Sequence, residues 1–200
     1  STCAFPDVVA NYPFTEEQIF DGPPAKTNFS YGYTKRSLHV QSMSYRNQYG
    51  LNYSTFCPSN IYGPEDHFNT NKSHFVSALI SKMINAERNG EIELWGTGKP
   101  RRQQLYVDDL ANIIPILLEK HNSDIPLIIA PNENFSINEL AEIANNKIQK
   151  NIKICYNNNL DGQYRKDGSN KCFLDLVGDY EFTSFESGVE KTIQWYMENK

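Results

Sequence analysis

The chain has few cysteines and no arrangement of them that would hold a metal. Its 200 residues include four, Cys3, Cys57, Cys155 and Cys172, with no CxxC spacing and no histidine cluster nearby. Cysteines scattered in this way argue against a structural zinc site or a disulfide framework, and they indicate reduced thiols. We therefore expect no metal and a cytoplasmic protein.

Long apolar runs and a surplus of positive charge are also absent. No apolar run approaches the roughly 20 residues of a membrane span, and the first residues do not have the pattern of a signal peptide. The formal net charge is −5 at pH 7, which argues against a basic surface for nucleic acid. We expect neither a membrane nor a nucleic acid as a partner.

Three well-known site motifs are missing: GxGxxG, the Walker A loop and HExxH. The short run Gly96-Thr97-Gly98 follows a predicted strand but is too short to act as a phosphate loop. The first residues nevertheless already look like part of a functional site. We therefore expect the chain to be part of a longer one, with the phosphate-binding turn elsewhere.

The remaining composition is that of a folded domain. Hydrophobic residues make up 39% of the chain and aromatic residues 12%, enough for a core and too many for a disordered segment. Short apolar runs alternate with helical patterns, which predicts an α/β fold. Two hundred residues suit one domain, or one and a part of another.

Local patterns predict the individual elements. Helices are predicted over residues 28–49, 74–89, 108–120 and 136–149 and at the end of the chain after Thr183. Strands are predicted over residues 53–58, 91–96, 103–107, 125–130 and 152–156. Gly50 and Gly90 are expected to stop helices, Asp108 or Asp109 to cap one, and the pairs Ser136 with Glu139 and Thr183 with Glu186 to form capping boxes.

The stretch YGYTK at residues 31–35 places a tyrosine four residues before a lysine. In a helix these two side chains share a face, and a nearby ammonium lowers the pKa of a phenol, which is ordinarily about 10. Tyr31 with Lys35 is then suited to general acid or base chemistry. One such pair is expected by chance among 12 tyrosines, and Tyr196 with Lys200 is a second that needs no role.

Further motifs accompany this pair in a characteristic order. They are STC at residues 1–3, PSNIYGPEDHF at 58–68, WGTGKPRRQ at 95–103, YVDDLA at 106–111 and DGQYRK at 161–166. With these motifs the chain resembles, over essentially all its length, the extended short-chain dehydrogenase/reductases. The family's N-terminal units, with the glycine fingerprint for NADP, are expected before Ser1, so the 200 residues alone are expected to bind NADPH poorly.

The resemblance implies a fold in two parts. Residues 1–66, with returning segments near 103–130, would form the C-terminal part of a Rossmann-type doubly wound parallel sheet. Residues 67–200 would mainly form a smaller α/β substrate-binding domain. The site would lie in the cleft between them.

The resemblance also implies catalytic roles. Ser1 and Tyr31 would hold the C4 carbonyl oxygen of a keto sugar, Tyr31 would give it a proton, and Lys35 would lower the phenol pKa and bind the nicotinamide ribose. Cys3 and His74 would move protons at C3 and C5, which the ketone makes acidic. From the residues alone, Ser1 fits an ordinary strand end, Cys3 a buried small hydrophobe and His74 a surface or capping residue.

Binding residues follow from the same resemblance. The NADPH site would include Tyr31, Lys35, Pro58, Ser59, Asn60, Ile61 and His74. The sugar nucleotide would be held by Lys82, Trp95, Arg102 and Asp161. The family can carry arginine where this chain has Lys82. On the residues alone, Trp95 also fits a core residue at a strand end, and Arg101 and Arg102 fit a solvated turn.

The activity implied is NADPH-dependent 3,5-epimerisation and 4-reduction of GDP-4-keto-6-deoxy-D-mannose to GDP-L-fucose by a homodimer. Two alternatives stay open at this point. One is another nucleotide-sugar epimerase or dehydratase of the same family, which would not need Cys3 with His74. The other is an inactive fragment that only binds a nucleotide sugar.

Overall fold

A computed structural model describes residues 1–69 and 72–200. In this part of the chain the helices are α1 (Phe29–Tyr49), α2 (Phe75–Asn85), α3 (Val107–Lys120), α4 (Ile137–Ile148), α5 (Lys171–Val177) and α6 (Phe185–Asn199). The strands are β1 (Phe56–Pro58), β2 (Asn60–Tyr62), β3 (Glu91–Leu94), β4 (Arg101–Arg102), β5 (Gln104–Tyr106), β6 (Leu127–Ile129), β7 (Phe135–Ser136) and β8 (Lys153–Tyr156). No helix within the described residues is long and apolar enough to cross a membrane.

Parallel strand pairs connected through helices define the architecture. β1 pairs with β6, β2 with β5 and β3 with β8, all in parallel, whereas the two-residue strands β4 and β7 pair antiparallel. Parallel pairs need crossover connections. α2 lies in the connection from β2 to β5, and α3 lies in the connection from β3 to β8. The α/β class predicted from the sequence, with a Rossmann-type parallel sheet, is confirmed.

Several local predictions are confirmed at the residues that make them. α1 ends where Gly50 adopts the left-handed conformation, with φ of 65°. At the start of α4, Ser136 Oγ accepts a hydrogen bond from the Glu139 N–H at 3.1 Å, and the Glu139 carboxylate accepts one from the Ser136 N–H at 2.7 Å. These signals are reliable because both partners lie within one turn of the chain.

Two predicted caps are wrong, and for one shared reason. Tyr106 occupies the N-cap position of α3, and the buried carboxylate of Asp109 instead accepts hydrogen bonds from the N–H and hydroxyl of Thr183, at 2.9 and 3.0 Å. Thr183 is therefore not the cap of α6. Ser184 takes that place and accepts from the Ser187 N–H at 3.3 Å.

Boundaries differ elsewhere. α2 ends at Asn85, before the predicted residue 89, so the predicted stop at Gly90 is wrong, and the first predicted strand is shorter than residues 53–58. The strands β2, β4 and β7 and the helix α5 were not predicted.

Three apolar clusters support these elements. The largest packs α2, α4 and α6 around β3 through Ile80, Met83, Leu140 and Val189. A second centres on Phe5 and Phe14, whose stacked rings lie 4.4 Å apart, and it anchors the first residues of the chain. A third joins β5, α3 and α5. The division near residue 66 stays a prediction.

Candidate active site

A cleft of about 950 Å³ opens beside the first turn of the chain, α1 and the loop after β2. Its lining includes all five residues that the resemblance assigns to catalysis: Ser1, Cys3, Tyr31, Lys35 and His74. The fold therefore brings together side chains from three separate parts of the sequence.

The turn that carries Ser1 and Cys3 is fixed by its own hydrogen bonds and by α1. Ser1 Oγ accepts from the Cys3 N–H at 3.3 Å at the start of a short 3₁₀ helix. The buried guanidinium of Arg36 donates to the Ala4 carbonyl at 3.1 and 2.6 Å and to the Gly22 carbonyl at 3.0 Å. Arg36 thus holds the turn against the helix that carries Tyr31.

Tyr31 and Lys35 lie on one face of α1, as predicted. The Lys35 ammonium is 5.4 Å from the centroid of the Tyr31 ring, and Tyr31, which lines the cleft, is 47% exposed. The similarly spaced pair Tyr196 and Lys200 lies outside this cleft. Its side chains bond Ser81 and Asn85 instead.

A residue that the sequence did not single out, Lys166, contacts Cys3. Its ammonium donates to Cys3 Sγ at 2.6 Å, and Lys166 itself is only 7% exposed. Burial alone would raise the pKa of Cys3. The charge of Lys166 and the hydrogen bonds from Lys166 and Ser1 outweigh burial, and the pKa of Cys3 falls below its ordinary value.

The other three cysteines behave in the opposite way. Burial raises the pKa of Cys57, and a hydrogen bond to the Glu91 carboxylate is the main cause that raises that of Cys155. Burial, with help from Glu16, raises the pKa of Cys172 to about 11. The thiol in the cleft is therefore the one of the four whose pKa is lowered.

His74 lies across the cleft at the N-cap position of α2, where its side chain makes no capping hydrogen bond. The preceding loop is tied to α2 through Asp66, whose carboxylate accepts from the Ser77 hydroxyl and from the His67 N–H. The imidazole is exposed and faces the cavity. Of the two alternatives from the residues alone, the surface position agrees with this exposure, whereas no capping bond is seen among the described residues.

The residues predicted to hold the cofactor line the same cleft: Pro58, Ser59, Asn60 and Ile61, with Tyr31, Lys35 and His74. The Ser59 N–H donates to the Ile129 carbonyl at 2.9 Å, and Asn60 Nδ2 donates to the Gln103 carbonyl at 3.3 Å. Among residues 1–69 and 72–200, the buried Ser59 hydroxyl has no hydrogen-bond partner. A buried polar atom of this kind fits a site that a polar ligand completes.

A second cavity of about 280 Å³ shares Arg102 and Gly162 with the first. It is lined by all four residues predicted to hold the sugar nucleotide: Lys82, Trp95, Arg102 and Asp161. Trp95 is 68% exposed, with its indole N–H on the Leu160 carbonyl at 2.9 Å. Trp95 is therefore not a core residue at a strand end, the alternative from sequence.

Asp161 and Arg102 are held in different ways. Both carboxylate oxygens of Asp161 accept from Thr97, from its N–H at 2.8 Å and its hydroxyl at 2.7 Å. Arg102 belongs to β4 and is half-buried, so it is not in a solvated turn. Burial lowers its pKa, and the charges of Cys3 and Asp161 oppose that shift. The two cavities thus meet at the Arg102 guanidinium, which interacts with the Asp161 carboxylate and the Cys3 thiol.

Comparison with known proteins places this geometry in a family. Residues 1–130 match the NAD dependent epimerase/dehydratase family. The whole chain is 33% identical to a probable GDP-L-fucose synthase from Drosophila melanogaster and 34% identical to a GDP-L-fucose synthase from Dictyostelium discoideum, over 65% and 63% of those proteins.

A solved structure agrees with these relatives. The GDP-L-fucose synthetase from Naegleria fowleri bound to NADP superposes with a TM-score of 0.91 at 32% identity, over 99% of this chain and 64% of that one. The chain thus spans under two thirds of the length of these proteins. The predicted resemblance to GDP-L-fucose synthases is confirmed, and the chain belongs to the NAD dependent epimerase/dehydratase family.

Proposed function

We propose that this chain carries the catalytic cleft of a GDP-L-fucose synthase, an NADPH-dependent enzyme that epimerises C3 and C5 of GDP-4-keto-6-deoxy-D-mannose and reduces C4. One observation carries the proposal: Cys3, a thiol with a lowered pKa and a contact to the Lys166 ammonium, shares a cleft with His74 and with Ser1, Tyr31 and Lys35. A simple 4-epimerase or a dehydratase of the family would not need the thiol and imidazole.

For reduction, NADPH supplies a hydride to C4 of the sugar when it is bound. The unpartnered Ser59 hydroxyl and its neighbours in the cleft fit its nicotinamide end. Tyr31 gives a proton to the C4 oxygen, which the Ser1 hydroxyl also holds. Lys35, on the same helical face as Tyr31, places a cation beside the tyrosine and binds the ribose.

For epimerisation, the C4 ketone makes the hydrogens on C3 and C5 acidic. The Cys3 thiolate removes a proton from one face of the ring, and the electron pair moves to the C4 oxygen, where the Ser1 hydroxyl stabilises the charge. His74 returns a proton from the opposite face, which inverts the carbon.

The smaller cavity is suited to the GDP part of the substrate. Arg102 supplies a forked cation for the diphosphate, and the exposed ring of Trp95 offers a stacking surface for a planar base or sugar face. Lys82, whose ammonium now donates to the Glu93 carbonyl at 3.0 Å, gives a point charge where relatives can use arginine.

We also propose a homodimer that uses α1. This helix exposes an unusual number of large apolar side chains, Phe29, Tyr33, Leu38, Val40, Tyr45 and Tyr49 among them. Exposed apolar patches on a helix commonly mark protein contacts.

The test uses the complete protein with GDP-4-keto-6-deoxy-D-mannose and NADPH. Product analysis by NMR is expected to show a fucose-configured sugar formed together with stoichiometric NADPH oxidation. A product epimerised at C4 alone without NADPH consumption would favour the family's other sugar-nucleotide epimerases. Binding without any turnover would favour a binding role.

A further inference from the structure

We infer that Lys166 is the positioning residue that holds Cys3 as a thiolate, and so makes Cys3 the base of the epimerisation. The inference rests on the proposed function for its chemical consequence. Its physical part, an ion pair between Lys166 and Cys3, stands on contacts in this chain and is testable by itself.

The burial of Lys166 requires a compensating negative charge. Lys166 is only 7% exposed, and a buried unpaired charge is strongly unfavourable. The adjacent carboxylate, Asp167, is already taken by Arg165 through contacts of 2.9 and 2.5 Å. Over residues 1–69 and 72–200, the Lys166 ammonium contacts Cys3 Sγ, at 2.6 Å. A thiolate at Cys3 supplies the negative charge that the buried lysine requires.

The backbone around Lys166 is tied down on both sides. Three residues earlier, Gln163 Nε2 donates to the carbonyls of Pro6 and Asp7, at 3.2 and 3.1 Å. One residue later, the Asp167 carbonyl accepts from the Phe14 N–H at 3.0 Å. These bonds join the segment to the loop that follows Cys3. Lys166 is therefore held against Cys3 by contacts that do not depend on a ligand.

Another charge also acts on the thiol. Arg102 lines the same cleft and interacts electrostatically with Cys3. Lys166 differs from Arg102 because it donates a hydrogen bond directly to the sulfur. In the proposed step, the thiolate takes the C3 or C5 proton while Lys166 stays an ammonium. The returning proton then has to come from His74.

The direct test measures the acidity of Cys3 in the complete protein. Iodoacetamide alkylates thiolates, so the alkylation rate of Cys3 against pH, followed by peptide mass spectrometry, reports its titration. We expect Lys166→Met to slow alkylation at pH 7 about tenfold or more and to move the midpoint to higher pH, since one pKa unit is a factor of ten. Lys166→Arg, which keeps the cation, should stay close to the wild type.

Controls separate charge from structure. Cys172, whose pKa is raised to about 11, serves as the internal reference and should react slowly and equally in every variant. Lys166→Gln is the second neutral variant if Lys166→Met folds poorly. An unchanged Cys3 profile in the neutral variants overturns the inference, and so does an arginine variant that matches the methionine variant.

Solvent exchange at C3 and C5 in D₂O, measured on the same variants, separates this inference from the proposed function. A shifted Cys3 profile together with slowed exchange supports both. A shifted profile with wild-type exchange supports the ion pair but rejects Cys3 as the base, and with it the proposed function. An unchanged profile overturns the role of Lys166 whatever the exchange rate, and leaves the proposed function standing.

Discussion

Gly32 of α1 approaches the carbonyl oxygen of Cys3 so closely that a β-carbon at Gly32 would lie 2.5 Å from it and 2.6 Å from Pro24 Cβ. Glycine inside a helix is destabilising by roughly 0.5–1 kcal/mol relative to alanine. The close approach explains why glycine is here. It lets α1 bring Tyr31 to the turn that carries Cys3.

Gly32→Ala should therefore lower the free energy of unfolding by about 1–3 kcal/mol, because the added methyl overpacks a contact with backbone. Urea unfolding measures the change. Ser44→Ala, on the exposed part of the same helix, is the matched control and should change stability by less than about 0.5 kcal/mol. A Gly32→Ala protein as stable as the wild type would contradict the close contact.

Tyr31→Phe should leave binding of the GDP-sugar nearly intact and slow reduction by roughly 10²–10⁴, the usual contribution of a general acid. NADPH oxidation under saturating substrate measures it. Tyr33→Phe is the matched control, because Tyr33 lies two residues away on the same helix and outside the cleft. Near-normal turnover by Tyr31→Phe would show that the phenol is not the proton donor.

Predictions from sequence were accurate where both interacting groups are local. Gly50 ends α1 and Ser136 with Glu139 caps α4 because each signal lies within one turn. The cap expected at Asp109 was wrong, since its carboxylate bonds Thr183, 74 residues away. Competition between a local and a distant partner cannot be read from spacing.

The site shows the same limit. Family motifs named the residues that line both cavities, but not Lys166, whose partner Cys3 is 163 residues away. Nothing in DGQYRK tells which of its cations is buried. The sequence did contain a signal for Gly32, because a glycine inside a predicted helix indicates a close contact. No such signal marks Arg36 as buried, since an arginine on the exposed face of a helix would give the same sequence pattern.

Trp95→Ala should weaken binding of GDP about threefold to tenfold, which corresponds to the loss of one aromatic contact of roughly 0.5–1.5 kcal/mol. Because the ring is mostly exposed, folding stability should change little. Calorimetry with GDP measures the affinity, and Trp95→Phe, which keeps a stacking ring, should retain most of it. Equal loss in both variants would argue against stacking.

Stability should fall below about pH 6.5, the ordinary pKa of histidine. His39 Nδ1 lies 2.7 Å from Thr55 Oγ1, His121 Nε2 lies 3.1 Å from the Thr55 carbonyl oxygen, and burial is the main cause that lowers the pKa of both. As the pH drops, the unfolded chain therefore takes up protons before the folded one. The contribution of the two neutral histidines to the free energy of unfolding is complete above pH 6.5. It is lost as the pH falls towards their pKa values in the folded protein.

Urea unfolding at pH 7.5, 6.5 and 5.5 tests this dependence. A double variant, His39→Gln with His121→Gln, should be less stable at pH 7.5 but lose less stability than the wild type between pH 7.5 and 5.5. The same pH slope in both proteins would assign the loss to other groups.

The central claim is that one cleft performs two separable reactions. Epimerisation needs proton removal and return at carbon but no hydride, whereas reduction needs hydride and Tyr31. Cys3→Ser should therefore block exchange of the C3 and C5 protons, because a serine hydroxyl is a much poorer base than a thiolate at neutral pH. His74→Asn should slow proton return on the opposite face, and Tyr31→Phe should exchange protons while failing to reduce.

The most direct measurement is deuterium incorporation from D₂O by mass spectrometry, recorded beside NADPH oxidation for Cys3→Ser in the complete protein, with Cys172→Ser as the control. The account predicts that Cys3→Ser loses exchange yet still oxidises NADPH, giving the manno-configured 6-deoxy sugar, while Cys172→Ser matches the wild type in both. Exchange at the wild-type rate in Cys3→Ser would contradict the account and reduce the thiol to a packed residue.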